Sequence, residues 1–516
     1  MRSALCLALI VSLIGFSLLL RVPFVSNLIM GEEGSHAYLV VGAKPVINST
    51  APQIVWEASD AFPNSYAYAN LIARFDGKDV LGFMARNLMA YEFLDKGARR
   101  INQLLPVCPD TSVRCLSISS RLPFLVLFEL GLLIGLIAVS RSFAFERPRT
   151  LALQVLAIAY LVSAPLIVGA SIQPQIDGAL GVLIVLSSAA MLLTADSSSS
   201  KGRLVAGFAA GVVGALVKNE WAISLSAATI FVTLVSLMAF IRTAAPERDP
   251  GGMRRALGFC LSVLLGIGVC QLLLFAYEPQ AFLAGLSMIR QVAGDSRQSM
   301  VETLRHNWPL IYPVVAACVV LAGALSMRPL RYCVEKPSLA IVSTWALAIV
   351  AGYVLSGNLG DGFPRYYTPP AMLAALALTL LIPSLDVRRI VWLGSAAILT
   401  IGVLANLTDV VQSYRHRLSI SAGRGQSLDA TQRRYERDAQ VARSQGATVM
   451  EGSAIGIYFH DIDWITSEAG LEGSIDMMRR FRPGPEAKLY VPELYLGWCK
   501  PELSQFVIGC PGSRAR

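Results

Sequence analysis

RLPFLVLFELGLLIGLIAVSRSFAFERPR, residues 121–149, carries the two signals that decide the fold: an apolar run at 121–140, then Arg141, Arg147 and Arg149 in the connection that follows. A hydrocarbon core about 30 Å thick takes roughly 20 apolar residues of helix to cross. Connections rich in Lys and Arg stay on the cytoplasmic side. Working outward, apolar runs recur at 4–23, 151–171, 178–194, 204–218, 221–241, 256–277, 308–327, 339–356, 371–385 and 390–406. Alternate connections hold Lys201 and Arg203, then Arg242, Arg248, Arg254 and Arg255, then Arg328, Arg331 and Lys336, and finally Arg388 and Arg389. The opposite short turns at 173–175 and 218–220 carry no cation but Lys218. The pattern predicts about eleven transmembrane helices with the N-terminus cytoplasmic.

Composition agrees, with 54% hydrophobic and 15% charged residues against a quarter charged in soluble domains. The first run opens like a signal peptide but lacks a small-residue cleavage site, so it reads as a retained helix. The net charge of +9 is explained by membrane orientation, since no basic run interleaved with aromatics marks a nucleic-acid surface. The fold class expected is an all-α polytopic membrane bundle over 1–406 with a small extracytoplasmic α/β domain over 407–516.

An odd number of crossings puts the tail outside, together with the loop 30–120. The loop has amphipathic stretches at 55–70 and 80–105 that suit the headgroup plane. In the tail, a polar helix at Leu428–Ser444 precedes short β-like runs at 447–450 and 456–459. Cys108 and Cys115 fall in the loop, and Cys499 and Cys510 in the tail, both on the oxidising side where disulfides persist. Each pair is expected to be bonded; four free thiols close in sequence is the plainer alternative. Cys6, Cys260, Cys270 and Cys318 read as apolar helix residues and Cys333 as a reduced thiol.

Chemistry concentrates at the outer surface. Gly31-Glu32-Glu33-Gly34-Ser35-His36 places two carboxylates side by side beyond the first helix, where mutual repulsion and partial burial raise a pKa towards that of a general base. A solvated turn is the plainer reading of the same residues, with His36 a hydrogen-bonding neighbour. Lys218, Arg290, Arg297 and Arg365, the last beside Tyr366, supply the point charge and guanidinium forks that suit a phosphate; helix-end snorkelling is their ordinary role. Asp177 opens the fourth helix as either a cap or a site residue. No Cys-x-x-Cys metal spacing and no phosphate-cradling Gly-x-x-x-x-Gly-Lys loop occurs. The small residues of 207–214 read as helix packing.

In their order these features resemble the GT-C superfamily of membrane glycosyltransferases, in the branch of protein mannosyltransferases and aminoarabinose transferases. The resemblance covers 1–406. It rests on Arg21 ahead of Glu32-Glu33, the amphipathic first loop, Arg121-Leu122-Pro123, Ser163-Ala164-Pro165 ahead of Asp177, Lys218, and Arg365-Tyr366 ahead of Pro369-Pro370. In the tail, Gly452-Ser453-Ala454-Ile455-Gly456-Ile457-Tyr458-Phe459 and Asp463 ahead of Gly470-Leu471 look like the soluble domain of many bacterial members. The resemblance implies transfer of a sugar from a polyprenyl-phosphate carrier to a lipid, glycan or protein acceptor, on the outer face of a bacterial inner (plasma) membrane. It implies Glu32 or Glu33 as base, and His36, Asp177, Lys218, Arg297, Arg365 and Tyr366 as substrate-binding residues. Glu-Glu stands where the family usually has Asp-Glu. No cofactor is called for; a divalent metal is compatible but not required.

Two other classes fit parts of the sequence. A transporter or flippase of a lipid-linked substrate needs ionisable residues within its helices, and these helices read as nearly charge-free at mid-depth. A catalytically dead relative would serve as a scaffold.

Overall fold

The computed structural model describes residues 2–27, 99–104, 113–173, 176–195, 199–242, 250–277, 336–355, 364–384, 389–418, 427–447, 449–451, 463–465, 470–481, 488–492, 499–503 and 506–510, with a few single residues between these stretches. Its first helix, α1 (Arg2–Arg21), runs into a 3₁₀ turn at Val22–Phe24, and α2 (Arg99–Leu104) precedes the long α3 (Val113–Val139). Next come α4 (Pro148–Ser163), α5 (Pro165–Ile172), a π turn (Ile176–Leu180), α6 (Gly181–Ala195), α7 (Ser200–Ala215), α8 (Asn219–Arg242) and α9 (Pro250–Tyr277). The bundle closes with α10 (Pro337–Leu355), a 3₁₀ turn (Pro364–Tyr367), α11 (Thr368–Leu381) and α12 (Arg389–Arg415).

Among the described residues, 6 helices are long and apolar enough to cross a membrane, or 7 if the bent pair α4–α5 is one span. This is the make-up of a multi-pass membrane protein, but with fewer full-length crossings than the eleven expected. The run 308–327 lies largely outside the described residues. The runs at 204–218, 339–356 and 371–385 form shorter helices: α7 has 16 residues and α11 has 14. At about 1.5 Å per residue, α11 reaches roughly 21 Å, short of the hydrocarbon thickness. Its position makes the length tolerable. It packs on α3, α4, α6 and α10, and every residue but Leu380 is buried, so its solvent is protein rather than lipid. A helix apolar on all sides belongs in such a place.

The lipid is met by the outer helices. Leu393, Ile398, Ile401 and Leu404 of α12 stand exposed, as do Leu261, Leu265, Leu272 and Leu273 of α9, a surface that water would not tolerate. Between α7 and α9 the small residues do what their spacing predicted. A Cβ on Gly211 would run into the Val263 carbonyl, and one on Gly266 into the Phe208 carbonyl; bare glycines let the two backbones touch.

Pro165 breaks the span at 151–171 into α4 and α5, bent by 59°. Pro165 has no N–H for the Leu161 carbonyl, which the Ala164 N–H takes instead at 3.2 Å, and the break opens neighbouring carbonyls of that turn to side-chain donors. Asn406 of α12 donates through Nδ2 to the Tyr160 carbonyl at 2.9 Å, and Arg21 of α1 through Nη2 to the Val162 carbonyl at 3.2 Å. Asn406 is 1% exposed, so the acceptor amide of the Asn406-Leu407-Thr408 sequon is sealed inside the bundle.

Side-chain contacts also sort the helix ends. Arg2 donates to the Arg141 carbonyl at 3.4 Å, and the Trp392 indole to the Arg149 carbonyl at 2.7 Å. Gln154 ties that end together, donating to the Ser142 and Thr379 carbonyls and accepting from the Ala144 N–H. Arg2, Arg141 and Arg149 therefore share one end, as residues on one side of a membrane must. Arg121 is at the other end, where it donates to the carbonyls of Phe24, Val25 and Asn27 and fixes the exit of α1.

Beyond the bundle, α13 (Leu428–Ser444) is capped by Ser427, whose hydroxyl accepts from the Ala430 N–H, and is closed by Gly446 at φ 69°. Then follow β1 (Val449–Glu451), β2 (Asp463–Ile465), α14 (Gly470–Phe481), β3 (Leu489–Tyr490) and β4 (Val507–Ile508), all strands parallel in the order β2-β1-β3-β4. Alternation along each strand sends Val449 and Leu489 to Leu471, Ile475 and Met478 of α14, and Met450 and Tyr490 to Tyr435, Ala439 and Ala442 of α13. Burial pushes the Tyr435 phenol up, against the pull of Arg434. The expected run at 447–450 overlaps β1 at Val449 and Met450, the run at 456–459 lies outside the described residues, and β2 was not foreseen.

Cys499 and Cys510 are joined, with Cα atoms 5.7 Å apart. Cys115 is also disulfide-bonded; Cys108 and Cys318 lie outside the described residues. Cys6, Cys260, Cys270 and Cys333 are free thiols. With 11 residues of separation, the Cys499–Cys510 loop is expected to contribute about 2–3 kcal/mol in the chain-entropy account. Cys499→Ser should therefore speed proteolysis after residue 427 and leave detergent-phase unfolding of the bundle unchanged; an equal loss in both would contradict this.

Candidate functional site

Two chain breaks meet at the end of the bundle that holds Arg121. The first is the π turn Ile176–Leu180, which carries Asp177; such single turns are inserted residues and recur at functional sites. Gly178 lets it lie against α5, because a Cβ there would strike the Ala170 carbonyl. The second break separates α7 from α8. There the Lys218 carbonyl accepts the Trp221 and Ala222 N–H groups at 3.1 and 3.2 Å, which makes Lys218 the residue at the head of α8.

A cation at a helix N-terminus is opposed by the helix dipole, so Lys218 needs a negative partner. Asp177 provides it through a hydrogen-bonded ion pair, with the Lys218 side chain 3% exposed and that of Asp177 11%. Glu220 adds a further acid in the first turn of α8. Aromatic rings line the rest: the Lys218 Nζ lies 4.3 Å from the Tyr366 ring centroid, 5.8 Å from Tyr353 and 5.9 Å from Trp221. Tyr353 stacks on Tyr366 at 5.1 Å and meets Tyr367 edge-on at 6.4 Å. Tyr366 and Tyr367 are held there by the turn Pro364–Tyr367, after which Pro369 and Pro370 open α11, where a missing N–H costs nothing. The Trp221 Nε1, Tyr367 hydroxyl and Thr368 hydroxyl are buried without a hydrogen-bond partner among the described residues.

Of the expected site residues, Asp177, Lys218 and Tyr366 come together. Asp177 acts there as a charge partner as well as the opening of a helix. Arg365 lies beside Tyr366 in the same turn, and its side chain is outside the described residues. Glu32, Glu33, His36, Arg290 and Arg297 also lie outside them. Trp221, Tyr353, Tyr367 and Thr368 were missed. Trp221 had a signal, since its spacing from Lys218 puts both on one helical face; Tyr353 had none.

A second polar centre corrects the expectation of helices nearly charge-free at mid-depth. Arg21 is wholly buried. Its Nε donates to the Ser171 hydroxyl at 2.7 Å, its Nη1 to the Ser17 hydroxyl and carbonyl at 2.9 and 3.0 Å, and its guanidinium lies 4.2 Å over the Phe128 ring. The Ser17 hydroxyl in turn donates to Glu129 Oε1 at 2.6 Å. Glu129 stands on α3 about 12 Å along the helix from Arg121, at about 1.5 Å per residue. One acid in a long apolar run reads as tolerable in sequence; its partner, 112 positions away, is visible only in three dimensions.

Among the described residues, no group of three or more His, Cys, Asp or Glu side chains gathers to hold a metal. Compared with family models, with curated proteins and with solved structures, the chain matches none of them.

Proposed function

We propose that the protein is a GT-C-type glycosyltransferase that moves a sugar from a polyprenyl-phosphate carrier to a lipid, glycan or protein acceptor at the outer face of a bacterial inner membrane. The observation that carries the reading is the buried Lys218, set among aromatic rings and buried polar groups at the bundle end opposite Arg2, Arg141 and Arg149. A polyprenyl carrier cannot leave the bilayer, so its phosphate must be met at headgroup level by helix-end residues such as these. Lys218, Arg297 and Arg365 hold the phosphate. Glu32 or Glu33 takes the proton of an acceptor hydroxyl as its oxygen bonds to the anomeric carbon; the bond from that carbon to the phosphate oxygen breaks, and the phosphate departs on the carrier. Purified protein mixed with a polyprenyl-phosphate sugar and an envelope extract in detergent should yield glycosylated acceptor and free polyprenyl phosphate in equal amounts. Unconsumed donor across the common hexosyl and pentosyl carriers would reject the reading, and envelope mass spectrometry with and without the gene would name the product.

The same proposal includes about eleven crossings, a cytoplasmic N-terminus, and 407–516 as a separate extracytoplasmic α/β domain. Tags at 145, 250 and 333 are then expected inside and tags at 70 and 450 outside, because each basic connection stays in the cytoplasm. A tag at 450 protected from protease in sealed spheroplasts would overturn the orientation.

One observation favours a second reading. Arg21, Ser17 and Glu129 form a buried ionisable relay of the kind that marks transport pathways. Translocation of a lipid-linked sugar by proteoliposomes, without transfer to an acceptor, would support a flippase instead.

A further inference from the structure

Lys218 cannot hold an anionic ligand while its charge is spent on Asp177. The pair nevertheless sits where an anion is favoured, at the head of the 24-residue α8. Asp177 is the more open partner and rides on an adjustable π turn, whereas Lys218 is held by Trp221 of α8 and by Tyr366 and Tyr353 on two other elements. Those rings can keep the ammonium in place through its contact with their faces when the carboxylate leaves. On the elements that meet here, Trp221 Nε1 and the hydroxyls of Tyr367 and Thr368, from residues 1%, 2% and 0% exposed, are buried and lack an acceptor among the described residues. Buried donors in that state call for an acceptor-rich partner.

From this geometry we infer that the Asp177–Lys218 pair is a resting latch: a phosphate oxyanion displaces the Asp177 carboxylate from Lys218 and takes up the donors of Trp221, Tyr367 and Thr368. The inference rests on the reading of this site as the carrier's phosphate site, and adds that the protein's own carboxylate competes with the ligand. The apparent affinity is then the intrinsic affinity multiplied by the fraction of unlatched molecules.

Equilibrium binding of decaprenyl phosphate, without sugar, to the full chain in detergent tests it. Asp177→Asn should bind at least about tenfold more tightly than wild type, since the competitor is gone and the cation remains. Asp177→Glu, which keeps the charge, should stay near wild type. The neutral pair Asp177→Asn with Lys218→Gln should bind at least about tenfold more weakly than Asp177→Asn alone. Excess inorganic phosphate and phosphatidylglycerol separate the sources: displacement by the first makes the free anion sufficient, and displacement only by the second requires a lipid phosphate. In wild type, carbodiimide labelling of Asp177 should rise severalfold as decaprenyl phosphate is added, a readout that needs no variant. Unchanged or weaker binding by Asp177→Asn, or labelling that stays flat or falls, would overturn the latch. Because no sugar is transferred, absence of glycosyltransferase activity would leave these results standing, and tight donor turnover with a flat labelling curve would remove the latch alone.

Discussion

In Glu32→Gln protein, sugar transfer is expected to fall by about 10²–10⁴-fold, the usual loss of a general base, while decaprenyl phosphate still binds. The substitution keeps shape and hydrogen bonding but ends proton acceptance. Glu32 is favoured over Glu33 because it takes the place of the first acid in the pair that the resemblance supplies. The two carboxylates are adjacent, so each raises the other's pKa; a neutral Gln at 33 should leave Glu32 a weaker base, and the pH–rate profile of Glu33→Gln should shift its acidic limb downward. Single-turnover rates on correctly inserted protein decide the matter. Wild-type rates in both variants would return the pair to a solvated turn. Arg121 pins the carbonyls of Phe24, Val25 and Asn27 and so sets where the chain leaves α1.

Arg21→Met is expected to destabilise the bundle by about 3–5 kcal/mol, the scale for breaking a buried charged network by removing one partner. The guanidinium links four places at once: Ser17 on its own helix, Ser171 on α5, the Val162 carbonyl at the end of α4, and Glu129 through Ser17. Methionine fills much of the volume but leaves the Glu129 carboxylate buried without a cation. Adding Glu129→Leu should therefore restore a large part of the loss, since an apolar pair of similar size is often as stable as the ion pair it replaces. Unfolding of the single and double variants in detergent checks this. Equal loss in both would locate the cost in the Val162 carbonyl, which loses its Arg21 donor, rather than in the charge.

That the chain is a multi-pass membrane protein was legible in the residues themselves. Apolar runs and the arginines between them are local signals, because crossing lipid and staying on one side are properties of a segment rather than of its neighbours. The close approach at Gly211 was legible for the same reason, because a missing Cβ acts where it stands; the break at Pro165 fell inside the run 151–171, which reads as one span. Helix length was less so. The runs at 204–218 and 371–385 looked like full crossings, yet α11 is short and enclosed, and only the packing of α3, α4, α6 and α10 around it explains why so few residues suffice.

What the residues alone determined, then, is which segments are apolar and which connections carry charge. Tertiary structure decided which polar side chains meet. Asp177 and Lys218 are 41 positions apart, Ser17 and Glu129 are 112, and Tyr353 reaches Lys218 from α10. Such pairings depend on the register and crossing of separate helices, which no local period encodes. In a medium without water, each buried ammonium, guanidinium or carboxylate must find its partner across those helices, so the fold as a whole chooses it.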